Sequence, residues 1–345
     1  MALFSFMIKQ INHNQANQRF PLESAGRLMT DKIPIIDAQA TVAEIEKMLF
    51  NKTKEFETIN YIYVVDENKK LKGVVSVKDV FRLPKTRSVS QIMVKDENVV
   101  SVKAHTDQEQ VVFLALKHNL KAIPVVDKEN HLLGIVPSDV ILNILHNEDV
   151  EDALRFVGVS KLKDPAISII KASAAVHFRK RLPWLILGLF GGVVAAFIVG
   201  FFEEALGAHL ALVAFIPAVV YMADAVGAQT QIIFVRSLAL DRKLDFRKYI
   251  WREVRVNLFL ALVLGIIISI VSLLWWKSSL LGIILGASIF LTILTAMAVA
   301  IFLPWLFFKF KYDPAIASGP FATVVRDILS LLIYFSLAQI MLNIF

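Results

Sequence analysis

The chain has 345 residues, is 56% hydrophobic and carries a formal net charge of +7, and its mean hydropathy is +0.61. A soluble protein of this size does not carry so much apolar surface, so membrane-spanning segments are predicted. The basic excess lies after residue 150, because residues 1–150 contain 19 Lys or Arg and 19 Asp or Glu. It therefore follows the apolar half and indicates membrane topology, not a nucleic-acid partner. The chain contains no cysteine, which excludes a disulfide framework and a thiolate metal site.

Residues 1–23 form an N-terminal segment whose apolar run is too short for a signal peptide. No small-residue cleavage site follows that run. We therefore expect the domain that comes next to remain in the cytoplasm.

The next part of the chain contains two similar segments, spaced by about 60 residues. They read YIYVVDENKKLKGVVSVKDV (61–80) and AIPVVDKENHLLGIVPSDV (122–140). Each predicts a strand, a polar turn, a second strand and a helix, and a helix-like stretch precedes each of them. Over residues 24–147 the pattern resembles a tandem pair of CBS domains, a regulatory α/β module that often binds adenine nucleotides.

Ligand-binding CBS modules commonly carry a Ser or Thr after the second strand and an Asp three residues later. The first copy has Ser76 and Asp79 at this spacing, whereas Pro137, Ser138 and Asp139 break the pattern in the second. The resemblance thus points to Ser76 and Asp79 as contacts for ATP or another adenine nucleotide. The alternative is that these two residues only cap the helix that follows.

Five apolar segments in the second half are long enough to cross a bilayer. They cover residues 182–202, 211–239, 257–276, 278–305 and 318–344, which predicts an all-α membrane domain of five helices over residues 181–345. The second segment is polar at its centre, so its helix is expected to be irregular there, as backbone that lines a cavity often is. Its polar or helix-breaking residues are Pro217, Asp224, Gly227, Gln229 and Gln231.

Basic residues at the ends of these segments give one consistent orientation. Three of them, at 179–181, precede the first span, and the loop after that span contains no Lys or Arg. The linker before the third span carries Arg242, Lys243, Arg247, Lys248, Arg252 and Arg255. We therefore expect a multi-pass protein of the inner cell membrane, with the CBS pair in the cytoplasm and the C-terminus outside.

Two separated motifs connect these parts. Residues 148–185 read EDVEDALRFVGVSKLKDPAISIIKASAAVHFRKRLPWL, and residues 313–335 read DPAIASGPFATVVRDILSLLIYF. In this order they resemble the MgtE family of magnesium channels, over about residues 24–345. The resemblance implies a homodimer with a pore at the subunit interface, lined by spans two and five. It also implies a connecting plug helix within residues 148–180, through which cytoplasmic Mg²⁺ closes the channel.

Two departures from the family pattern stand out. The family usually has an additional N-terminal helical domain, and only 23 residues precede the CBS pair here, so part of the Mg²⁺-sensing surface is expected to be missing. The family's Gly- and Asn-rich pore stretch reads YMADAVGAQTQ at 221–231. Gln229 is kept, Ala228 stands where the family has Asn, and Asp224 is expected to compensate for the missing amide.

The proposed ion path rests on carboxylates in apolar segments, which are costly unless they face a partner or water. The last span contains only two charges, Arg326 and Asp327. A dimer would supply two copies of Asp327, which suits Mg²⁺ because this ion is held by one or two carboxylates while it keeps several waters. Thr323 shares the helical face of Asp327. The predicted metal residues are Asp327, Asp224, Gln229, Thr323 and, at the outer mouth, Glu203.

Four acids, Glu148, Asp149, Glu151 and Asp152, crowd together before the plug. They are expected to form a regulatory Mg²⁺ site, in which metal draws together carboxylates that otherwise repel. The alternative is a helix start that favours negative charge.

No nucleophile–base pattern, phosphate loop or His-rich motif indicates an enzyme. A Mg²⁺ channel is therefore the main prediction. A secondary transporter that exchanges divalent cations for protons or sodium remains open, as does a membrane-bound nucleotide sensor.

Overall fold

The computed structural model describes residues 15–162, 170–202, 210–240, 244–310, 312–317 and 319–344. The chain divides into two compact units, Met1–Glu148 and Asp149–Phe345. The first is an α/β unit and the second is helical throughout its described residues.

The first unit repeats one strand–turn–strand–helix arrangement. Its strands are β1 Ile35–Asp37, β2 Tyr61–Val65, β3 Leu71–Ser76, β4 Val94–Lys95, β5 Val102–Lys103, β6 Ala122–Val126 and β7 Leu132–Pro137. Its longer helices are α1 Val42–Lys52, α2 Val77–Arg82, α3 Gln108–Lys117 and α4 Ser138–Phe156, the last of which continues into the second unit. Single helical turns lie at Ala25–Leu28 and Val89–Ile92, and 3₁₀ turns at Gln15–Arg19, Thr53–Glu55 and Asp96–Asn98.

Two sheets have the same internal design. One has the order β1–β2–β3–β4 and the other β5–β6–β7. In each, the first strand is parallel to the second and the second pairs antiparallel with the third. Both hairpins contain a register shift at the matching position, between Val64 and Val65 and between Val125 and Val126. The repeat read from the sequence is therefore a repeat of structure, and the predicted CBS-type pair is confirmed.

The glycine of the Leu-x-Gly motif is explained by close backbone approach. A Cβ on Gly73 would lie 2.5 Å from the carbonyl oxygen of Val94, and one on Gly134 would lie 2.5 Å from that of Thr30. A side chain at either position would push a neighbouring segment away from the sheet.

The second unit contains five long apolar helices. They are α5 Ala174–Phe201, α6 Leu210–Leu240, α7 Phe246–Trp276, α8 Ser279–Lys309 and α9 Pro320–Ile344, and a 3₁₀ turn, Pro314–Ala317, precedes α9. Each has the length and composition to cross a membrane. The five predicted helices are confirmed.

Helix α7 begins eleven residues earlier than the apolar segment predicted. Asp245 caps its N-terminus, with the Lys248 amide donating to the carboxylate at 3.2 Å. Tyr249, Glu253 and Asn257 are buried at a spacing of four, which places one continuous helical face toward the bundle. The basic residues from 247 to 255 therefore belong to a helix and not to a linker.

Helix α6 is continuous where the sequence suggested irregularity. It is α-helical from Leu210 to Leu240 and contains Pro217. Because five residues turn a helix by about 140° beyond a full turn, Gln229 does not share the face of Asp224. Gln231, seven residues from Asp224, does.

The core of the first CBS copy gives a stability test. Ile45 of α1 is fully buried among β2 and β3 residues, whereas Lys47 of the same helix is exposed. We expect Ile45→Ala to lower the free energy of unfolding by about 2–5 kcal/mol because it leaves a cavity. Hydrogen exchange of the purified full chain should then speed up in α1 and β2. Lys47→Ala is the matched control, and equal exchange in the two variants would contradict the described core.

Candidate functional site

A buried guanidinium joins helices α6 and α9. Arg326 of α9 is only 2% exposed. Its Nη2 lies 2.6 Å and its Nε 3.1 Å from Oδ1 of Asp224 on α6. The Thr323 hydroxyl donates to the same oxygen at 3.1 Å. Asp224, a predicted metal ligand, thus has a cationic partner within its own chain.

The other side of the guanidinium binds an amide. Arg326 Nη1 donates to Oε1 of Gln231 at 2.8 Å, and Gln231 Nε2 donates to the carbonyl oxygen of Ala317 at 2.9 Å. Gly227 lies beneath the Arg326 side chain, since a Cβ there would be 2.5 Å from its Cδ. The face of α6 that Asp224 and Gln231 share therefore holds an arginine.

Asp327 and Gln229 differ from Asp224. Asp327 is half-buried and Gln229 is exposed on the single chain. In the part of the chain that the structure describes, neither side chain has a hydrogen-bond partner. These two groups keep their polar atoms available for a ligand.

The other predicted pore residues have different positions. Thr323 contacts Asp224 and Arg326. Glu203 lies outside the described residues.

The acidic run on α4 is paired with basic side chains. Asp149 forms an ion pair with Arg236 of α6, and Asp152 lies 3.5 Å from the same guanidinium. Burial raises the pKa of the Asp152 carboxyl above its ordinary value, while Arg236 and Arg155 oppose the shift. Asp152 therefore takes up a proton at a higher pH than an exposed aspartate does.

A second group of ion pairs lies at the end of α4. Glu151 pairs with Arg155 and, at 3.2 Å, with Lys161. Arg155 also pairs with Asp313, which immediately precedes the 3₁₀ turn before α9. Glu148 accepts a hydrogen bond from Gln108 in the first unit. The end of α4 is thus ion-paired to both α6 and the segment that leads into α9.

The acidic run does not converge into a ready metal site. Among the described residues, one group of three potential metal ligands has its ligand atoms within 4.8 Å of one another. It consists of Asp127, Glu129 and His131 and does not include the acidic run. Asp127 is engaged there by backbone amides of its own turn and by the His131 ring. A regulatory ion at residues 148–152 would require these side chains to exchange their basic partners for metal. Most of the expected plug, residues 164–178, lies outside the described residues or in the first turns of α5.

Ser76 caps a helix. Its Oγ accepts the amide of Lys78 at 3.3 Å at the start of α2, and Asp79 follows in the first turn. The capping interpretation therefore describes the interactions that are present, and both side chains remain at least partly exposed.

Sequence reasoning missed several partners. The sequence alone does not indicate which groups Arg326, Arg155, Arg236 and Asp313 contact. The signal for Arg326 was the presence of opposite charges, Asp224 and Arg326, in two apolar spans, since such charges are expected to pair. No pattern identified the partners of α4, because these contacts join distant segments.

Two family models match the chain. The model of MgtE, described as a divalent cation transporter, matches residues 216–337. The CBS domain model matches residues 25–85 and 89–147.

Curated relatives match along nearly the whole chain. The magnesium transporter MgtE of Bacillus subtilis is 37% identical over 326 residues, covering 94% of this chain and 71% of the relative. That of Thermus thermophilus is 34% identical and covers 95% and 72%. A solved cytosolic domain of the Mg²⁺ channel MgtE in complex with ATP is 38% identical, with a TM-score of 0.37, over 38% of this chain and 52% of that one. Relatives of such coverage are named as transporters, not enzymes, and the chain belongs to the MgtE family of magnesium transporters.

Proposed function

We propose that two copies of this chain form a Mg²⁺ channel whose path runs between them along α6 and α9. Asp327 is the main ligand for the ion, and Gln229 and the Thr323 region line the same path. The basic residues around α5 and α7 favour a cytoplasmic CBS pair and an external C-terminus. Glu203 at the outer mouth is assigned to attracting cations.

The observation that carries this proposal is the contrast between two aspartates in the membrane unit. Asp224 is paired with Arg326, while the half-buried carboxylate of Asp327 has no hydrogen-bond partner among the described residues. An ionised group in an apolar span needs a compensating partner or water. A hydrated cation between two chains supplies that compensation.

The chemistry suits Mg²⁺. This ion loses water reluctantly and is usually bound by one or two carboxylates while several waters remain. Two Asp327 residues at a dimer axis provide two carboxylates and room for a hydrated ion. A single chain provides only one, so the dimer is part of the proposal.

Asp327→Asn is the direct test. The amide keeps the side-chain shape but removes the charge, so Mg²⁺ uptake into proteoliposomes should fall to the level of empty vesicles. Asp245→Asn is the matched control, because it makes the same change at an exposed helix cap where Asn caps equally well. Normal uptake by a correctly folded Asp327→Asn dimer would reject the assignment.

Channel and exchanger are separated by electrical recording. A channel gives single-channel current steps that follow the Mg²⁺ gradient without a proton or sodium gradient. A strict dependence of uptake on a second ion gradient would favour the exchanger.

Gating is assigned to the acidic run on α4. Asp149 and Asp152 contact Arg236 of α6, and Arg155 contacts Asp313 before α9. Internal Mg²⁺ that binds these carboxylates competes with the basic partners and so alters contacts of both pore helices. The ion thus acts on the path through a set of exchangeable ion pairs.

Removing the three paired carboxylates tests this coupling. The variant Asp149→Asn, Glu151→Gln, Asp152→Asn should remain open at internal Mg²⁺ concentrations at least about ten-fold above those that close the wild type. The control replaces three exposed acids of the CBS pair, Glu55, Glu57 and Glu67, by Gln. Patch recordings over a series of internal Mg²⁺ concentrations give both curves, and closure of all three proteins over one range would remove the acidic run from gating.

Nucleotide binding is proposed for the first CBS copy, with ATP or another adenine nucleotide contacting Ser76 and Asp79. Support comes from their position after β3 and from the CBS match. Asp79→Ala should weaken ATP binding to the full chain by about ten-fold, as expected for loss of one polar ligand contact. Asp139→Ala in the second copy is the control. Titration calorimetry that gives equal affinities for both variants would count against this site.

A further inference from the structure

We propose that Arg326 sets the charge of the ion path by neutralising Asp224, so that each chain presents one net negative charge, that of Asp327. Arg326 is a positioning residue in this assignment and does not touch the ion. The inference rests on the proposed role of Asp327 and adds a reason for two further ionisable groups in the same helices.

The pair between Arg326 and Asp224 has several hydrogen bonds. Arg326 Nε and Nη2 both bind Oδ1 of Asp224, at 3.1 and 2.6 Å, while Nη1 binds Gln231 at 2.8 Å. All three nitrogen atoms of the planar guanidinium thus donate a hydrogen bond. The buried guanidinium of Arg326 thus forms a charge-assisted pair with the Asp224 carboxylate.

Helix α6 provides the space for this side chain. At Gly227 a Cβ would lie 2.5 Å from Cδ and 2.9 Å from Nε of Arg326. Gly227 therefore leaves the space that the Arg326 side chain occupies. Gln231 completes the same face by linking the guanidinium to the carbonyl oxygen of Ala317.

The charge balance follows from these contacts. Asp224 and Arg326 carry opposite charges and are in direct contact, so their charges offset each other beside Asp327. With the pair intact, a dimer has two net negative charges at the path, and these balance the two positive charges of one Mg²⁺. An unpaired Asp224 would give four, and an ion held that strongly leaves slowly, whereas conduction requires release as well as binding.

Three variants test the balance: Asp224→Asn, Arg326→Gln and the two together. Asp224→Asn leaves an unpaired positive charge, so the KM for Mg²⁺ uptake should rise by at least about five-fold. Arg326→Gln leaves an extra negative charge, so the KM should fall by a similar factor and the maximal rate should fall with it. The double variant restores the balance, and its KM should return to within about three-fold of the wild type.

If the pair only stabilised the fold, the KM would change in the same direction in both single variants. The double variant would then not recover the wild-type KM. If Asp224 is itself an ion ligand, the double variant stays as impaired as Asp224→Asn, and this result overturns the proposal. Size-exclusion profiles in detergent report folding. If a single variant does not assemble, the KM of the double variant is the test, because this variant buries no unpaired charge.

Asp327→Asn in the wild-type and double-variant backgrounds separates the two proposals. If Asp327→Asn abolishes uptake in both backgrounds and the double variant alone recovers the wild-type KM, the result supports the pore role of Asp327 and the charge-setting role of Arg326. Loss of uptake together with an unrescued double variant overturns only the charge-setting role of Arg326. Normal uptake by Asp327→Asn overturns the proposed pore assignment itself.

Discussion

The membrane unit is organised by the need to partner a buried guanidinium. An arginine that is 2% exposed among apolar helices cannot remain without acceptors. Asp224 and Gln231 of α6 provide them, Thr323 of α9 adds a hydroxyl, and Gly227 leaves room for the side chain. One interaction therefore accounts for most of the polar and small residues at the centre of a helix that the sequence alone marks as unusual.

Charge pairing also links α6 and α9 to α4. Arg236 lies on α6 beyond Gln231 and pairs with Asp149, while Arg155 of α4 pairs with Asp313 ahead of α9. Both helices held together by Arg326 are thus also held at the end of α4. Ion pairs at partly exposed positions are weak individually and sensitive to competing ions. We therefore expect these pairs to weaken more with rising ionic strength than the pair between Arg326 and Asp224 does.

Internal repetition in the sequence predicted the CBS pair, and long apolar segments predicted the five helices. Local composition was less reliable: the basic residues 247–255 predict a linker, yet Tyr249, Glu253 and Asn257 are buried on one face of α7. Pairing between helices was out of reach, because Arg326 and Asp224 are 102 residues apart in the chain. Spacing along one helix defines its faces, and it does not define which other helix each face contacts.

The neighbouring positions of Arg326 and Asp327 explain why two adjacent charges have different surroundings. Successive residues on a helix point about 100° apart, so they cannot both face α6. Arg326 takes the buried direction, where Asp224 and Gln231 accept its hydrogen bonds. Asp327 is turned away to a half-buried position without a hydrogen-bond partner among the described residues. The pairing of Arg326 with Asp224 thus fixes the rotation of α9 about its axis, and that rotation determines the direction in which the Asp327 carboxylate points.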